Sequence, residues 1–252
     1  MEAIAAPDPT TASWAVVAEQ WWRVAGRDLL GLVLPVACAG CGADDVAWCA
    51  ACAAMLAGPA RRVEHRAGRL DRLDGTEPVP VWAVADFAGP VRRAVSQWKD
   101  HGRTDVTPAL GVAVCRAARA AAEQVRGSRV LVVPAPSTPV ARRRRGWDPA
   151  RALAAAVAGE LTRRGVPARV APLLRRNVGE DQAGLSARAR SRNLAGHVGV
   201  RRRGPLGPGV AVLVDDVLTT GATFAACVRA LDGAGITVLA GVVVASTPSP
   251  GE

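Results

Sequence analysis

Apolar positions follow two rhythms along this chain. From Val210 to Val214 they run without a break, V-A-V-L-V, too short for a helix of ordinary length and too continuous for a strand with one wet face. The run predicts a strand covered on both sides. Val130 to Val133 repeats the pattern, and Val79 to Phe87, Ala168 to Leu174 and Thr237 to Ala245 are further strand candidates. Between them the spacing changes to threes and fours. Val91, Ala94, Val95 and Trp98 predict one face of a helix that follows a Gly89-Pro90 turn and ends near Lys99. Pro108 to Arg126 is alanine-rich and helical, Pro149 to Arg164 is a helix capped by Asp148 and stopped at Gly165, and a further helix runs from Ala222 to about Leu231. One α/β domain with a small appendage fits 252 residues of which half are hydrophobic.

The chain divides by composition. Residues 1–30 open loosely and then place Trp14, Val17, Trp21 and Val24 at helical spacing, which predicts an amphipathic helix for packing. Residues 31–60 carry Cys38, Cys41, Cys49 and Cys52 as C-x2-C-x7-C-x2-C. Each close pair presents two thiolates to one tetrahedral ion, so the segment reads as a zinc knuckle with a closed, structural coordination shell. Two disulfides, or buried thiols that merely happen to be spaced this way, are the alternatives, the first disfavoured in a reducing compartment. Cys115 and Cys227 sit in helical patterns and read as buried small residues. Residues 61–78 alternate charges around Gly68 and Gly75 with little apolar content and read as a linker, 79–246 as the main domain and 247–252 as a frayed tail.

Charge narrows the partners. The chain has 32 basic and 22 acidic residues, a formal net charge of +10, which favours phosphorylated ligands, nucleic acid or acidic proteins. Almost all of the positive charge is arginine, and Lys99 is the only lysine. The apolar stretch from Gly31 to Gly40 is interrupted by Pro35, and no run is long enough to cross a bilayer. A cytoplasmic location is the expectation.

The densest chemistry comes directly after the central run. Asp215 and Asp216 arrive where the strand leaves the sheet, and two adjacent carboxylates there need donors, a cation or sugar hydroxyls. Thr219, Thr220, Gly221, Ala222 and Thr223 come next, hydroxyls and backbone N–H groups ahead of a helix amino terminus, which suits an anion. Acids for hydroxyls beside a cradle for phosphate suit a phosphorylated ribose. A nucleoside-triphosphatase reading needs a G-x-x-x-x-G-K-[ST] loop, and the single lysine, in Q-W-K-D, rules it out. Lys99 and Arg103 are cations placed to neutralise a diphosphate. After Val133, the loop Pro134-Ala135-Pro136-Ser137-Thr138-Pro139 offers N–H groups of Ala135, Ser137 and Thr138 to an anion, or is simply a stiff connection. Arg142 to Arg145 and Trp147 form the most basic run, a solvated face or a holder of phosphates with an indole to stack on a base. Arg175 to Gly196, polar and arginine-rich, has the makings of a mobile lid.

The Val210 to Thr223 stretch resembles the signature of the type I phosphoribosyltransferases, which bind 5-phosphoribosyl-1-diphosphate (PRPP). The order of the cysteine quartet, K-x-x-G-R, V-V-P-A-P, R-R-R-R-G-W-D, Q-A-G-L-S with R-S-R-N-L-A-G, and then that signature resembles the ComF family, relatives of bacterial competence proteins, from about Leu29 to Ala245. The resemblance implies a type I phosphoribosyltransferase-like parallel sheet flanked by helices, with a small amino-terminal zinc-binding subdomain. It gives Asp215 and Asp216 the ribose hydroxyls and a catalytic orienting role, and Thr219, Thr220, Gly221, Ala222 and Thr223 the 5-phosphate. Lys99, Arg103, Ala135, Pro136 and Ser137 would take the Mg2+-bound diphosphate, and Gln182, Gly184, Leu185, Ser186 and Arg192 the lid. The family commonly has Gly-Phe-Asn-Gln where this chain has Gly146-Trp147-Asp148-Pro149. Transfer of phosphoribosyl to an acceptor the sequence does not name is the expected activity. A PRPP sensor without turnover and a competence factor binding single-stranded DNA and competence proteins are the alternatives.

Overall fold

The computed structural model describes residues 36–70, 77–176, 198–201 and 209–249. In chain order its first half holds helix α1 (Ala50–Met55), strand β1 (Arg61–Arg62), strands β2 (Val81–Ala83) and β3 (Ala85–Asp86), helix α2 (Gly89–Asp100) and helix α3 (Thr107–Ala121). The second half continues with β4 (Val130–Pro134), α4 (Pro139–Arg145), α5 (Pro149–Arg163), β5 (Ala168–Val170), β6 (Leu174–Arg176), β7 (Val198–Val200), β8 (Gly209–Val214), β9 (Val217–Leu218), α6 (Ala222–Asp232), β10 (Ile236–Val242) and β11 (Ala245–Ser246). Six strands form the main sheet in the order β1-β2-β10-β8-β4-β5, parallel throughout except for β1 at one edge.

The unbroken apolar run makes β8 an inner strand, between β10 and β4, with helices over both faces. Ala211, Val212, Leu213 and Val214 are fully buried, and burial of each valine or leucine side chain stabilises the fold by about 1.5–3 kcal/mol. Alternation sorts them. Val212 and Val214 join Val130, Val132, Ala240 and Val242 against α2, α3 and α5, whereas Ala211 and Leu213 face Phe224, Cys227 and Leu231 of α6. A mostly parallel α/β sheet flanked by helices, with a cysteine cluster before it, is therefore the architecture.

Three expectations change. The Val79 to Phe87 strand is split at Val84, whose N–H donates to Val244 O at 3.3 Å while β3 moves into a second, all-parallel sheet β3-β11-β9. The Ala168 to Leu174 strand stops at Val170, because Pro172 has no N–H for the ladder; Leu174 instead opens β6, antiparallel to β7. The supposed linker at 61–78 is integral in its first ten residues. Arg61 and Arg62 pair with Ala83 and Trp82, and Val63, Ala67 and Leu70 are buried. Glu64, itself buried, accepts the Val81 N–H at 3.0 Å and the Arg62 guanidinium at 2.6 Å. The amino-terminal helix at Trp14 to Val24 and the lid residues Gln182, Gly184, Leu185, Ser186 and Arg192 lie outside the described residues.

Candidate functional site

At the carboxyl end of β8 the chain turns out of the sheet at Asp215 and Asp216. The Asp215 N–H still donates to Val242 O at 3.2 Å, and the Asp216 N–H folds back onto Asp215 Oδ1 at 2.8 Å. Asp216 O accepts the Val244 N–H at 3.0 Å, so the backbone of the pair is locked by the end of β10 and by Val244 just beyond it. After β9, Thr219 and Thr220 are exposed and Gly221 takes φ 77°. The close approach at Gly221 is severe: a Cβ there would stand 2.8 Å from Leu70 Cγ and 3.0 Å from Ala67 Cβ. Only glycine accepts both the left-handed backbone and that packing. Arg69 N–H donates to Thr220 O at 3.2 Å, so the former linker forms the floor under the turn. α6 then begins at Ala222 with its amino end toward the loop.

These parts share one cavity of about 320 Å³, walled by Asp215, Asp216, Thr219 to Thr223, and by Phe87, Ser96 and Lys99 from the β3–α2 side. Lys99 reaches in from the last turn of α2 and sets its Nζ 2.6 Å from Asp216 Oδ2. Asp216 is 4% exposed. Burial alone would push its carboxyl up, but the Lys99 charge and the hydrogen bonds from Asp215 and Lys99 hold it below the usual carboxylate range. Asp215 goes the other way: burial, then the neighbouring Asp216 charge, raise it well above the usual value. Lys99 is also raised, the two carboxylates outweighing its burial. The adjacent acids are thus unlike, Asp215 holding its proton more tightly than an ordinary aspartate and Asp216 less tightly, side by side at the mouth of an anion-suited loop.

The other expected contacts divide. Because β4 and β8 run parallel with Pro134 opposite Val214, the loop Ala135, Pro136, Ser137 leaves the same end of the sheet one strand away. The Ala135 N–H is not free, since it donates to Val214 O at 2.8 Å, and the cavity wall does not include this loop. Thr138 is occupied as the cap of α4, accepting from Ala141 N at 3.1 Å. Arg103 is not at the acid pair at all: its guanidinium points to the cysteine knuckle, bonded to Ala37 O, Ala47 O and Asp105. Trp147 packs edge-on against the buried Trp98, ring centres 5.0 Å apart, and is spent on the core instead of being held out for a base. Arg145 bridges to Asp100 Oδ1 at 2.9 Å, tying α4 to the end of α2.

Ser96 and Phe87 are among the lining residues that sequence reasoning misses. Ser96 lies three residues before Lys99 on α2 and shares its face, so helical spacing from Lys99 would have found it. Phe87 follows β3 of the smaller sheet and still reaches the cavity wall, a placement visible only once strand order is known.

The knuckle is a second candidate site. The Sγ atoms of Cys38, Cys41, Cys49 and Cys52 all lie within 4.8 Å of one another. Four sulfurs about 2.3 Å from a tetrahedral ion stand about 3.8 Å apart, so the quartet needs only small closure. Two turns deliver the ligands. The Gly42 N–H donates to Cys38 O at 2.9 Å, and Cys49 caps α1, its Sγ accepting from Cys52 N at 3.5 Å. All six cysteines are free thiols. Burial raises Cys38, yet N–H groups of Cys49, Cys41 and Gly40 bring it down to about 6, whereas burial and the neighbouring thiols push Cys52 up to about 12. A divalent cation is what lets four such thiols ionise together. Gly40 leaves room for them: a Cβ there would stand 2.7 Å from Cys52 Sγ. The cluster is built to hold a metal ion.

Compared with protein-family models and with curated proteins, the chain matches none. No helix among the described residues is long and apolar enough to cross a membrane.

Proposed function

We propose that the chain binds PRPP or a related phosphoribosyl ligand and transfers the phosphoribosyl group with release of diphosphate, as its resemblance to the ComF family implies. The observation that carries this reading is that the acid pair, Lys99 and the Thr219 to Thr223 turn at the head of α6 share one cavity wall. Each wall suits one part of such a ligand. Asp215 and Asp216 offer two carboxyl groups to vicinal hydroxyls, and the turn offers hydroxyls and the positive end of a helix to a terminal phosphate. Lys99, already beside the sugar acids, supplies positive charge for the diphosphate.

Transfer breaks the bond between C1 of the ribose and a diphosphate oxygen while an acceptor nucleophile bonds to C1. Positive charge builds on the sugar, and negative charge on the leaving group. The ionised Asp216 steadies the sugar and Lys99 the departing oxygens, both preorganised before the ligand arrives. Mg2+, when bound with the diphosphate, adds charge neutralisation of the leaving group. Zinc is the ion we assign to Cys38, Cys41, Cys49 and Cys52, where four thiolates close the shell and leave it structural. Six free thiols suit the reducing cytoplasm.

Calorimetric titration of PRPP with Mg2+ tests the reading. Wild type should bind, and the double variant Asp215→Asn with Asp216→Asn should lose at least about a hundredfold in affinity. Equal binding by the two proteins would remove the acid pair from the ligand and sink the assignment. Diphosphate release against a panel of nucleobases and amines then separates transfer from sensing.

A further inference from the structure

One residue links the cysteine centre to the helix that carries Lys99. Arg103 lies three residues beyond α2, and its Nη1 and Nη2 donate to Ala37 O at 3.0 Å and Ala47 O at 3.3 Å. Ala37 directly precedes Cys38, and Ala47 precedes Cys49 by two residues while also accepting the Ala39 N–H at 3.1 Å. Both carbonyls therefore belong to the turns that present the thiolates. Asp105 braces the guanidinium from another edge, Nη2 to Oδ2 at 2.8 Å and Nε to Oδ1 at 3.0 Å. The Arg103 N–H returns to Gln97 O at 3.2 Å and closes the end of α2. Two residues after Gln97 stands Lys99, with its ammonium on Asp216.

Charge gives the arrangement a reason. A divalent ion in four thiolates leaves two net negative charges, and such a centre is steadied by a cation and by hydrogen bonds just outside the ligands. Arg103 is placed for this: Asp105 raises its pKa first, and the Cys38 charge adds to the effect. A second arginine, Arg116, donates to Leu56 O at 3.0 Å and ties the knuckle to α3, and Ala39, Trp48 and Leu56 pack into the core cluster that holds Val91 and Trp98 of α2, so Arg103 is the polar part of a wider contact between knuckle and helix. Without the ion, the thiols themselves meet only one another and nearby amides at 3.4–3.5 Å, so the two turns, each closed by its own backbone hydrogen bonds such as Gly42 N–H to Cys38 O at 2.9 Å, are joined to each other less firmly than through a shared ion. The two acceptors of Arg103 lie one in each part, Ala37 O before the first pair and Ala47 O before the second.

We propose that Arg103 is a positioning residue that couples metal occupancy of the four-cysteine centre to the last turn of α2, and through it to the placement of Lys99 in the cavity. The knuckle is then a working part of the anion site. Its consequence for ligand affinity rests on the phosphoribosyl reading above; the coupling between knuckle and helix does not.

The test uses the full chain, loaded with one equivalent of zinc or stripped by chelator under reducing conditions, and reads hydrogen exchange along the backbone. Stripping should speed exchange at residues 97–103 about tenfold while the amides of β4 stay protected, and should weaken PRPP binding by about tenfold. Arg103→Ala with zinc retained should reproduce both effects, and Arg103→Lys should recover part of them, since it keeps the charge but cannot span two carbonyls. If Arg103→Ala does not fold, stripping the wild type carries the test alone. Faster exchange confined to residues 36–57, with 97–103 within about twofold of the loaded protein, overturns the coupling. So does a rise that includes β4, which makes the knuckle a general staple. A loaded wild type that exchanges as expected but binds no PRPP keeps the coupling and removes the phosphoribosyl reading.

Discussion

Lys99 Nζ sits 2.6 Å from Asp216 Oδ2, joining the last turn of α2 to the second residue beyond the central strand. The partners are unequal in exposure, the lysine side chain 36% and the aspartate 5%. Removing the lysine leaves a charge buried, whereas removing the charge leaves an ammonium that reaches water. Lys99→Met should therefore cost more than Asp216→Asn in urea denaturation. The lysine's exposure reduces the penalty from that of a fully buried pair to about 1–2 kcal/mol. If Asp216→Asn is the costlier change, the ion pair is not what holds Asp216 in place.

The unlike acids give stability a defined response to pH. Asp215 holds its proton more tightly folded than unfolded, so its contribution is complete below the ordinary aspartate range and falls away as pH rises through its raised folded value. Asp216 holds its proton less tightly folded, so its contribution is present above the ordinary range and is lost as pH falls through its lowered value. Stability should peak between the two. Asp215→Asn removes the alkaline decline, because the amide does not titrate, so the variant should lose less stability than wild type as pH rises. Denaturation curves for both proteins from pH 4 to 9 test this; an Asp215→Asn protein that keeps the wild-type decline would place the titration elsewhere.

How much of this was legible in sequence depends on how local the cause is. V-A-V-L-V followed by two acids, small polar residues and Gly221 fixes strand, turn and helix within fifteen residues, and the fold reproduces each boundary closely. The cysteine quartet is local in the same sense. Arg103 turns away from the acid pair because Asp105, two residues on, takes one edge of its guanidinium, and its other acceptors, Ala37 O and Ala47 O, are backbone atoms more than fifty residues away that sequence spacing does not reveal. The segment from Arg61 failed for another reason. Its three buried residues, Val63, Ala67 and Leu70, are spaced by four and three, but they are scattered among charges, and Glu64 is buried with them. An edge strand of two residues leaves no alternation to read.

Gly221 connects that segment to the site. Its φ of 77° disfavours any side chain, and a Cβ would meet Leu70 Cγ at 2.8 Å and Ala67 Cβ at 3.0 Å. Gly221→Ala should cost about 2–4 kcal/mol, the left-handed strain and the overpacking acting together. The turn would lift from its floor, so PRPP affinity should fall even under conditions where the variant is folded. Leu70→Ala in the same background opens space beneath the turn and should recover part of the binding, though not the strain. Affinity unchanged in Gly221→Ala would detach the turn from the ligand.

The metal centre has its own tight position in Gly40. The first Cys-x-x-Cys turn passes so close to the second pair that a Cβ at residue 40 would lie 2.7 Å from Cys52 Sγ and 3.2 Å from Trp48. Cys52 is 1% exposed and cannot retreat into solvent, and Trp48 is packed against the core, so neither neighbour yields cheaply. Gly40→Ala should consequently displace one ligand from the tetrahedron without removing any thiol. The expected loss of zinc affinity is about ten- to a hundredfold, read by competition with a metal indicator. Cys41→Ser should lose more, because a hydroxyl replaces a thiolate ligand outright. Retention of about one zinc per chain at wild-type affinity in Gly40→Ala would mean that the four sulfurs do not close around a single ion.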